Sequence, residues 1–179
     1  MFESSRDRQK YADVAQWQCT PLVRERSTVR SCPSAPFRRE DEMLECLVIG
    51  DSIATGIASV MPQCIRMADV GISSSGWYSK YGSRPALDMQ AYKFVVISLS
   101  TNDGEVPVAT LKKMRDKVVA TRVMWILPSQ VRGYQRQKIF DLARSYGDIP
   151  IDITPYVGPD KIHPPTVEAY QKVAKKIME

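Results

Sequence analysis

The chain has 179 residues, of which 44% are hydrophobic and 25% charged, a composition typical of one globular domain with its own core. The net charge is +5, but lysines and arginines are interleaved with acidic residues, so nucleic-acid binding is not favoured. No apolar run reaches the roughly 18 residues that span a bilayer, and segment 1–10 lacks the apolar centre of a secretion signal. The sequence therefore predicts a cytoplasmic protein that contacts no membrane.

The first 42 residues differ from the rest of the chain. They are rich in arginine, serine and glutamate and show no helical or strand-like periodicity, which predicts a loosely ordered extension over residues 1–42. Residues 14–37 also resemble the peptide produced when a tRNA gene is translated, which raises the alternative that the native product starts at Met43, near a phage integration site. A folded domain is expected over residues 43–179.

From Met43 onward, short apolar runs alternate with amphipathic stretches. Strands are predicted over 44–49, 64–70, 94–99, 123–127 and 149–153. Helices are predicted over 53–61, within 77–90, and over 108–120, 135–146 and 166–178. This alternation indicates an α/β fold, a three-layer α/β/α sandwich with a five-stranded parallel sheet in the flavodoxin-like order 2-1-3-4-5.

The four cysteines do not suggest a metal site. Cys19, Cys32, Cys46 and Cys64 form no C-x-x-C pair, and the chain has a single histidine to accompany them. We expect free thiols in a reducing compartment, with Cys46 as a small core residue. No metal and no organic cofactor are expected.

The first candidate for chemistry is Ser52, in the tripeptide Gly50-Asp51-Ser52 directly after the first strand. A serine on a strand-to-helix turn exposes its hydroxyl at the positive end of the helix, where a developing oxyanion is favoured. The alternative is an ordinary serine that caps a helix.

The second candidate is His163, the only histidine, in a loop after the fifth strand. Asp160 lies three residues earlier, so its carboxylate can reach Nδ1–H and leave Nε2 free to take a proton from a serine. The alternative is a surface histidine beside a helix start.

The loops after the second and third strands offer hydrogen-bond donors. Asn102 could donate its amide to an oxyanion, although Asn-Asp-Gly is also a common turn. Gly71 and Gly76 bracket a small-residue loop in which a backbone N–H could serve as another donor, or which could be an ordinary flexible loop.

Together these segments, LVIGDS (47–52), GISSSG (71–76), ISLSTND (97–103) and DKIHP (160–164), resemble the four blocks of the SGNH (GDSL-like) hydrolases. The resemblance covers residues 43–177. It implies Ser52 as nucleophile, His163 as general base and Asp160 as the residue that orients it. It also implies an oxyanion hole made of the Ser52 N–H, the Gly76 N–H and the Asn102 amide, with Gly71 as the alternative glycine. The family's third block usually begins with glycine, where this chain has Ser100.

The resemblance implies a serine esterase whose partner is a small-molecule or carbohydrate ester. A domain this small leaves little room for a long acyl tunnel, so a short acyl group such as acetyl is expected. Asp51, Trp77, Asp103 and Tyr134 are the residues expected to contact substrate. Two alternatives stay open: a thioesterase or lysophospholipase-type enzyme of the same fold, and a catalytically idle domain that binds a carbohydrate or a partner.

Overall fold

The structure, a computed structural model, describes residues 44–84, 87 and 91–179. Its centre is a five-stranded sheet whose strands all run parallel in the order β2-β1-β3-β4-β5. The strands are β1 (Leu44–Gly50), β2 (Ile65–Ala68), β3 (Ala91–Ser98), β4 (Val119–Ile126) and β5 (Ile149–Ile151). The strand order predicted from the sequence is confirmed.

Helices cover both faces of this sheet. They are α1 (Ser52–Val60), α2 (Ser74–Tyr81), α3 (Val108–Arg115), α4 (Gly133–Tyr146) and α5 (Val167–Met178). Because successive strand residues point to opposite faces, β1 sends Leu47 and Ile49 into the core beneath α2, α3 and α4. It sends Cys46 and Val48 into the core beneath α1 and α5. The predicted three-layer architecture is confirmed.

Several predicted boundaries are wrong. The helix expected over 108–120 ends at Arg115, and β4 begins at Val119 rather than Val123. Valines at 118 and 119 fit a helical spacing, but β-branched residues also favour extended backbone, and Val119 is the first residue of β4. The second strand stops at Ala68, because Gly71 turns the chain with φ +74°.

The extension expected over residues 1–42 lies outside the described residues. Within those described, no helix is both long and apolar enough to cross a membrane.

The expectation of free thiols is wrong for two of the cysteines. Cys46 in β1 and Cys64, one residue before β2, form a disulfide with Cα atoms 4.6 Å apart. The parallel register places Leu47 beside Ile65, so the preceding residues of the two strands are neighbours as well. The bridge closes the segment that contains the first turn and α1. Cys19 and Cys32 lie outside the described residues.

We expect loss of this disulfide to lower the free energy of unfolding by about 2–4 kcal/mol, because the bond restricts the unfolded chain over a separation of 18 residues. The measurement is denaturant unfolding of the wild type and of the Cys46→Ala/Cys64→Ala variant, each with and without dithiothreitol. After one cycle of unfolding and refolding, the reductant should lower the free energy of unfolding of the wild type. It should leave that of the variant unchanged. A wild type insensitive to reduction would contradict the expectation.

Candidate active site

The turn between β1 and α1 depends on Gly50. Its φ of +144° is rarely adopted by residues with side chains, and a Cβ here would lie 1.8 Å from the Ser98 carbonyl oxygen. The Asp51 N–H donates to that carbonyl at 2.9 Å, which ties the turn to β3. The turn leaves Ser52 as the first residue of α1, half-buried at the positive end of the helix.

The structure brings Ser52 and His163 together, although 111 residues separate them in the chain. Ser52 Oγ lies 2.8 Å from His163 Nε2. On the other side of the ring, His163 Nδ1 lies 2.7 Å from Asp160 Oδ2. The three side chains therefore form the hydroxyl–imidazole–carboxylate relay that the sequence predicts. The side chains of His163 and Asp160 are 39% and 50% exposed, so the relay opens onto solvent.

Asp160 is held ionised by its own loop. The backbone N–H groups of Ile162 and His163 donate to Oδ1 at 2.9 and 3.0 Å. These two bonds, followed by the bond from the His163 ring, lower the pKa of Asp160 to about 2. An ionised carboxylate can only accept hydrogen bonds, so Nδ1 carries the ring hydrogen. With the ring hydrogen on Nδ1, Nε2 faces Ser52 and can accept its hydroxyl hydrogen.

Asn102 is exposed at the carboxyl end of β3, the end where Ser52 and His163 lie. Its Nδ2 donates to the Ile72 carbonyl at 3.2 Å, and the second amide hydrogen remains available to another acceptor. The backbone two residues earlier has Ser100 at φ +85°, the left-handed region that favours glycine. Ser100 therefore has a backbone conformation that favours glycine, the residue that the resemblance leads us to expect at this position.

The hydrogen bonds of the loop before α2 help to decide whether Gly71 or Gly76 could donate to an oxyanion. The Gly76 N–H donates to Ser73 Oγ at 3.2 Å, because Ser73 caps the helix and Gly76 lies in its first turn. This arrangement argues against Gly76 as an oxyanion donor. Gly71 precedes the helix at φ +74°, with nothing within 4 Å of an added Cβ.

Two residues expected to contact substrate are buried instead. Trp77 is 0% exposed, packs in the core beneath α2, and donates from Nε1 to the Met67 carbonyl at 2.6 Å. Asp51 is also 0% exposed, and its Oδ1 accepts the Ile53 N–H at 3.0 Å as the N-cap of α1. Position beside a catalytic motif predicts neither burial nor hydrogen-bond partners, which is why the sequence expectation fails.

The other two residues expected to contact substrate are Asp103 and Tyr134. Asp103 is 8% exposed and both carboxylate oxygens accept hydrogen bonds from Ser74, so it does not face a substrate. Tyr134 is 56% exposed, with the Lys138 ammonium 5.5 Å from its ring centre. Of the four expected contacts, Tyr134 alone presents its side chain to solvent.

Sequence reasoning misses the partners that hold this site. The Ile72 carbonyl accepts from Asn102, Ser74 donates to Asp103, and Ser98 Oγ donates to Asp51 Oδ1 at 3.1 Å. In the sequence, the serine-rich segment 73–75 is only a weak indication that a hydroxyl bonds to Asp103. The residue type at position 72 gives no indication that its backbone carbonyl accepts a hydrogen bond.

Burial changes the chemistry of Asp51. Removal from water raises the pKa of its carboxyl to about 6, and the hydrogen bonds from Ile53 and Ser98 lower it only in part. The other oxygen, Oδ2, has no hydrogen-bond partner. The ionised form is therefore disfavoured in the folded protein compared with the unfolded chain.

We expect Asp51 to lower stability as pH rises. Between about pH 4 and pH 6 the folded protein holds a proton here that the unfolded chain has lost, so the free energy of unfolding falls by up to about 3 kcal/mol across that range. The measurement compares the wild type with Asp51→Asn, because every other carboxyl titrates equally in both. The free energy of unfolding of the wild type minus that of the variant should fall from pH 4 to pH 7. A difference independent of pH would contradict the expectation.

The fold is shared with known esterases. A GDSL-like lipase from Bacteroides thetaiotaomicron matches with a TM-score of 0.58 at 16% identity, over 95% of this chain and 94% of the other. An acetyl xylan esterase from Geobacillus stearothermophilus, solved as a variant, matches with a TM-score of 0.55 at 13% identity over 75% and 92%. A lipase/acylhydrolase from Enterococcus faecalis matches with a TM-score of 0.52 at 16% identity over 75% and 93%. No family model and no curated protein matches the sequence.

The chain thus has the fold of the GDSL-like (SGNH) hydrolases, as the motif resemblance implies. In the described part of the chain, no group of three or more histidine, cysteine, aspartate or glutamate side chains could hold a metal ion.

Proposed function

We propose that the protein is a serine esterase that hydrolyses short acyl esters, with acetyl groups on a carbohydrate as its substrate class. The observation that carries the proposal is the 2.8 Å contact between Ser52 Oγ and His163 Nε2. On the other side of the ring, His163 Nδ1 lies 2.7 Å from Asp160 Oδ2. A hydroxyl next to an oriented base is the arrangement that nucleophilic catalysis needs. It favours an enzyme over an idle binding domain.

The first half of the reaction forms an acyl-enzyme. Ser52 Oγ attacks the ester carbonyl carbon as His163 Nε2 accepts its proton, and the carbonyl electron pair moves to the oxygen. The tetrahedral intermediate then collapses, and the alcohol leaves with the proton from His163. Asp160 stabilises the imidazolium that exists between these events.

The second half repeats the chemistry with water. His163 takes a proton from a water molecule, which attacks the acyl carbon, and Ser52 Oγ leaves with that proton. The oxyanion in both halves is bound by the Ser52 N–H and the Asn102 amide. We assign the third donor to the backbone N–H of Gly71 or Ser73, because the Gly76 N–H donates to Ser73 and the Ile72 N–H donates to the Asp69 carbonyl.

The choice of a short acyl group rests on the openness of the site. The relay residues His163 and Asp160 are 39% and 50% exposed, which suits an ester carried on a large alcohol better than a long buried chain. The exposed Tyr134 ring is our candidate for stacking on a sugar. The acetyl xylan esterase with the same fold acts on an acetylated polysaccharide, which agrees with this substrate class.

The test is reaction with a fluorophosphonate together with hydrolysis of p-nitrophenyl acetate. We expect the phosphonate on the peptide that contains Ser52, located by mass spectrometry, and we expect acetate release. Ser52→Ala should take up no label and lose at least about 10⁴-fold of the rate. Equal rates for the wild type and Ser52→Ala would end the proposal.

The acyl length is tested separately. Acetate, butyrate and octanoate p-nitrophenyl esters are compared by kcat/KM, together with acetylated xylan. A preference for octanoate would replace the acetylesterase assignment with a lipase or thioesterase of the same fold.

A further inference from the structure

A buried carboxylate fastens the loop after β3 to the start of α2. Asp103 Oδ1 accepts the Ser74 N–H at 2.9 Å, and Oδ2 accepts the Ser74 hydroxyl at 2.5 Å. Asp103 is 8% exposed and Ser74 is 1% exposed. Both oxygens of the carboxylate thus serve the first residue of α2, where the positive end of the helix also favours an anion.

The neighbouring Asn102 contacts the same loop a second time, since its Nδ2 donates to the Ile72 carbonyl at 3.2 Å. Three hydrogen bonds from these two adjacent residues fix the orientation of the loops as well as their separation. The amide that we assign to the oxyanion hole is therefore held directly by Ile72 and indirectly by Asp103.

The main chain of Asp103 is held from the other side. Its N–H donates to the Ser100 carbonyl at 3.3 Å, and its carbonyl accepts from Gln135 Nε2 at 3.2 Å. Ser100 has φ +85°, and its buried Oγ has no hydrogen-bond partner. A strained backbone such as that of Ser100 persists only where surrounding contacts hold it in place. The hydrogen bonds of Asp103 provide such contacts.

We propose that Asp103 is a positioning residue for the oxyanion hole: by holding Ser74, it fixes the Asn102 amide and the N–H groups of Gly71 and Ser73 relative to Ser52. This inference rests on the proposed function. Oxyanion donors act when they are preorganised about 2.7–3.1 Å from the developing charge. A misplacement of about 1 Å costs about 10²-fold in rate.

The kinetic test compares Asp103→Ala with the isosteric Asp103→Asn. The asparagine oxygen can still accept the Ser74 N–H and its amide can donate to the Ser74 hydroxyl, so the loops stay joined. We expect Asp103→Ala to lower kcat about 10- to 100-fold with KM changed less than about threefold. Asp103→Asn should restore kcat to within about fivefold of the wild type on the same grounds. Asp116→Asn, an exposed carboxylate beyond α3, is the matched control and should behave as the wild type.

A second readout does not need turnover. Asn102 is the only asparagine in the chain, so selective ¹⁵N-asparagine labelling gives one side-chain amide signal. We expect Asp103→Ala to move that signal toward the position of a free asparagine amide. Ser74→Ala removes only the hydroxyl bond, and it should shift the signal partway and lower kcat by a smaller factor. This variant also provides the test if Asp103→Ala does not fold.

The outcomes separate the two proposals. A wild type that neither hydrolyses esters nor reacts with the fluorophosphonate defeats the esterase assignment, and the amide signal alone then decides the role of Asp103. An unchanged Asn102 signal in Asp103→Ala overturns the inference. So does a folded Asp103→Ala with wild-type kcat, or an Asp103→Asn as impaired as the alanine variant.

Discussion

Gly50→Ala is expected to give no stable folded protein. The added Cβ would lie 1.8 Å from the Ser98 carbonyl oxygen and 3.0 Å from the Ala54 Cβ, at a backbone φ of +144°. The carbonyl belongs to β3 in the middle of the sheet, so it can move only if β1 and β3 separate. We expect a loss of more than about 5 kcal/mol, comparable to the whole stability of many domains.

The measurement is soluble yield and far-UV circular dichroism of Gly50→Ala beside Gly147→Ala. Gly147 also has a positive φ, +72°, at the end of α4, but nothing lies within 4 Å of an added Cβ. Gly147→Ala therefore tests the backbone strain alone and should cost about 1 kcal/mol with activity retained. A folded, active Gly50→Ala would mean that the close approach of β1 and β3 is not required.

The sheet could be predicted because its pattern is local. Apolar runs such as 94–99 indicate buried strands, and the amphipathic 166–178 indicates a covering helix, whose Val173 and Ile177 are buried. Parallel strands joined by helices allow few topologies, so the strand order follows from the alternation. The end of α3 was less predictable because valines at 118 and 119 suit a helix face and a strand equally well.

The relay was predictable for a different reason. The chain contains one histidine, the carboxyl ends of parallel strands lie at one edge of the sheet, and the resemblance to the SGNH hydrolases implies that Ser52 and His163 meet there. The register of the strands and the burial of individual side chains could be learned only from the structure. The disulfide follows from the pairing of Leu47 with Ile65. The burial of Trp77 follows from which face of α2 meets the sheet, and that of Asp51 from its place as the N-cap of α1.

Asp160→Asn is expected to lower kcat about 10³–10⁴-fold, equivalent to about 4–5.5 kcal/mol, without disturbing the loop. The asparagine oxygen can still accept the N–H groups of Ile162 and His163, which now donate to Oδ1. Its amide, however, would donate to His163 Nδ1, which must then be the unprotonated nitrogen. The ring hydrogen moves to Nε2, which can no longer take the proton of Ser52.

Two measurements check this mechanism. The first is kcat for p-nitrophenyl acetate, with Asp152→Asn as the matched control, because Asp152 also accepts the N–H two residues on but does not contact His163. The control should change stability through the lost charge opposite Arg136 and leave kcat within a few-fold. The second is ¹⁵N-histidine labelling, which gives a single imidazole in this chain. The spectrum should show the Nδ1–H form in the wild type and the Nε2–H form in Asp160→Asn. An Asp160→Asn variant that keeps the Nδ1–H form and full activity would show that the carboxylate does not orient the base.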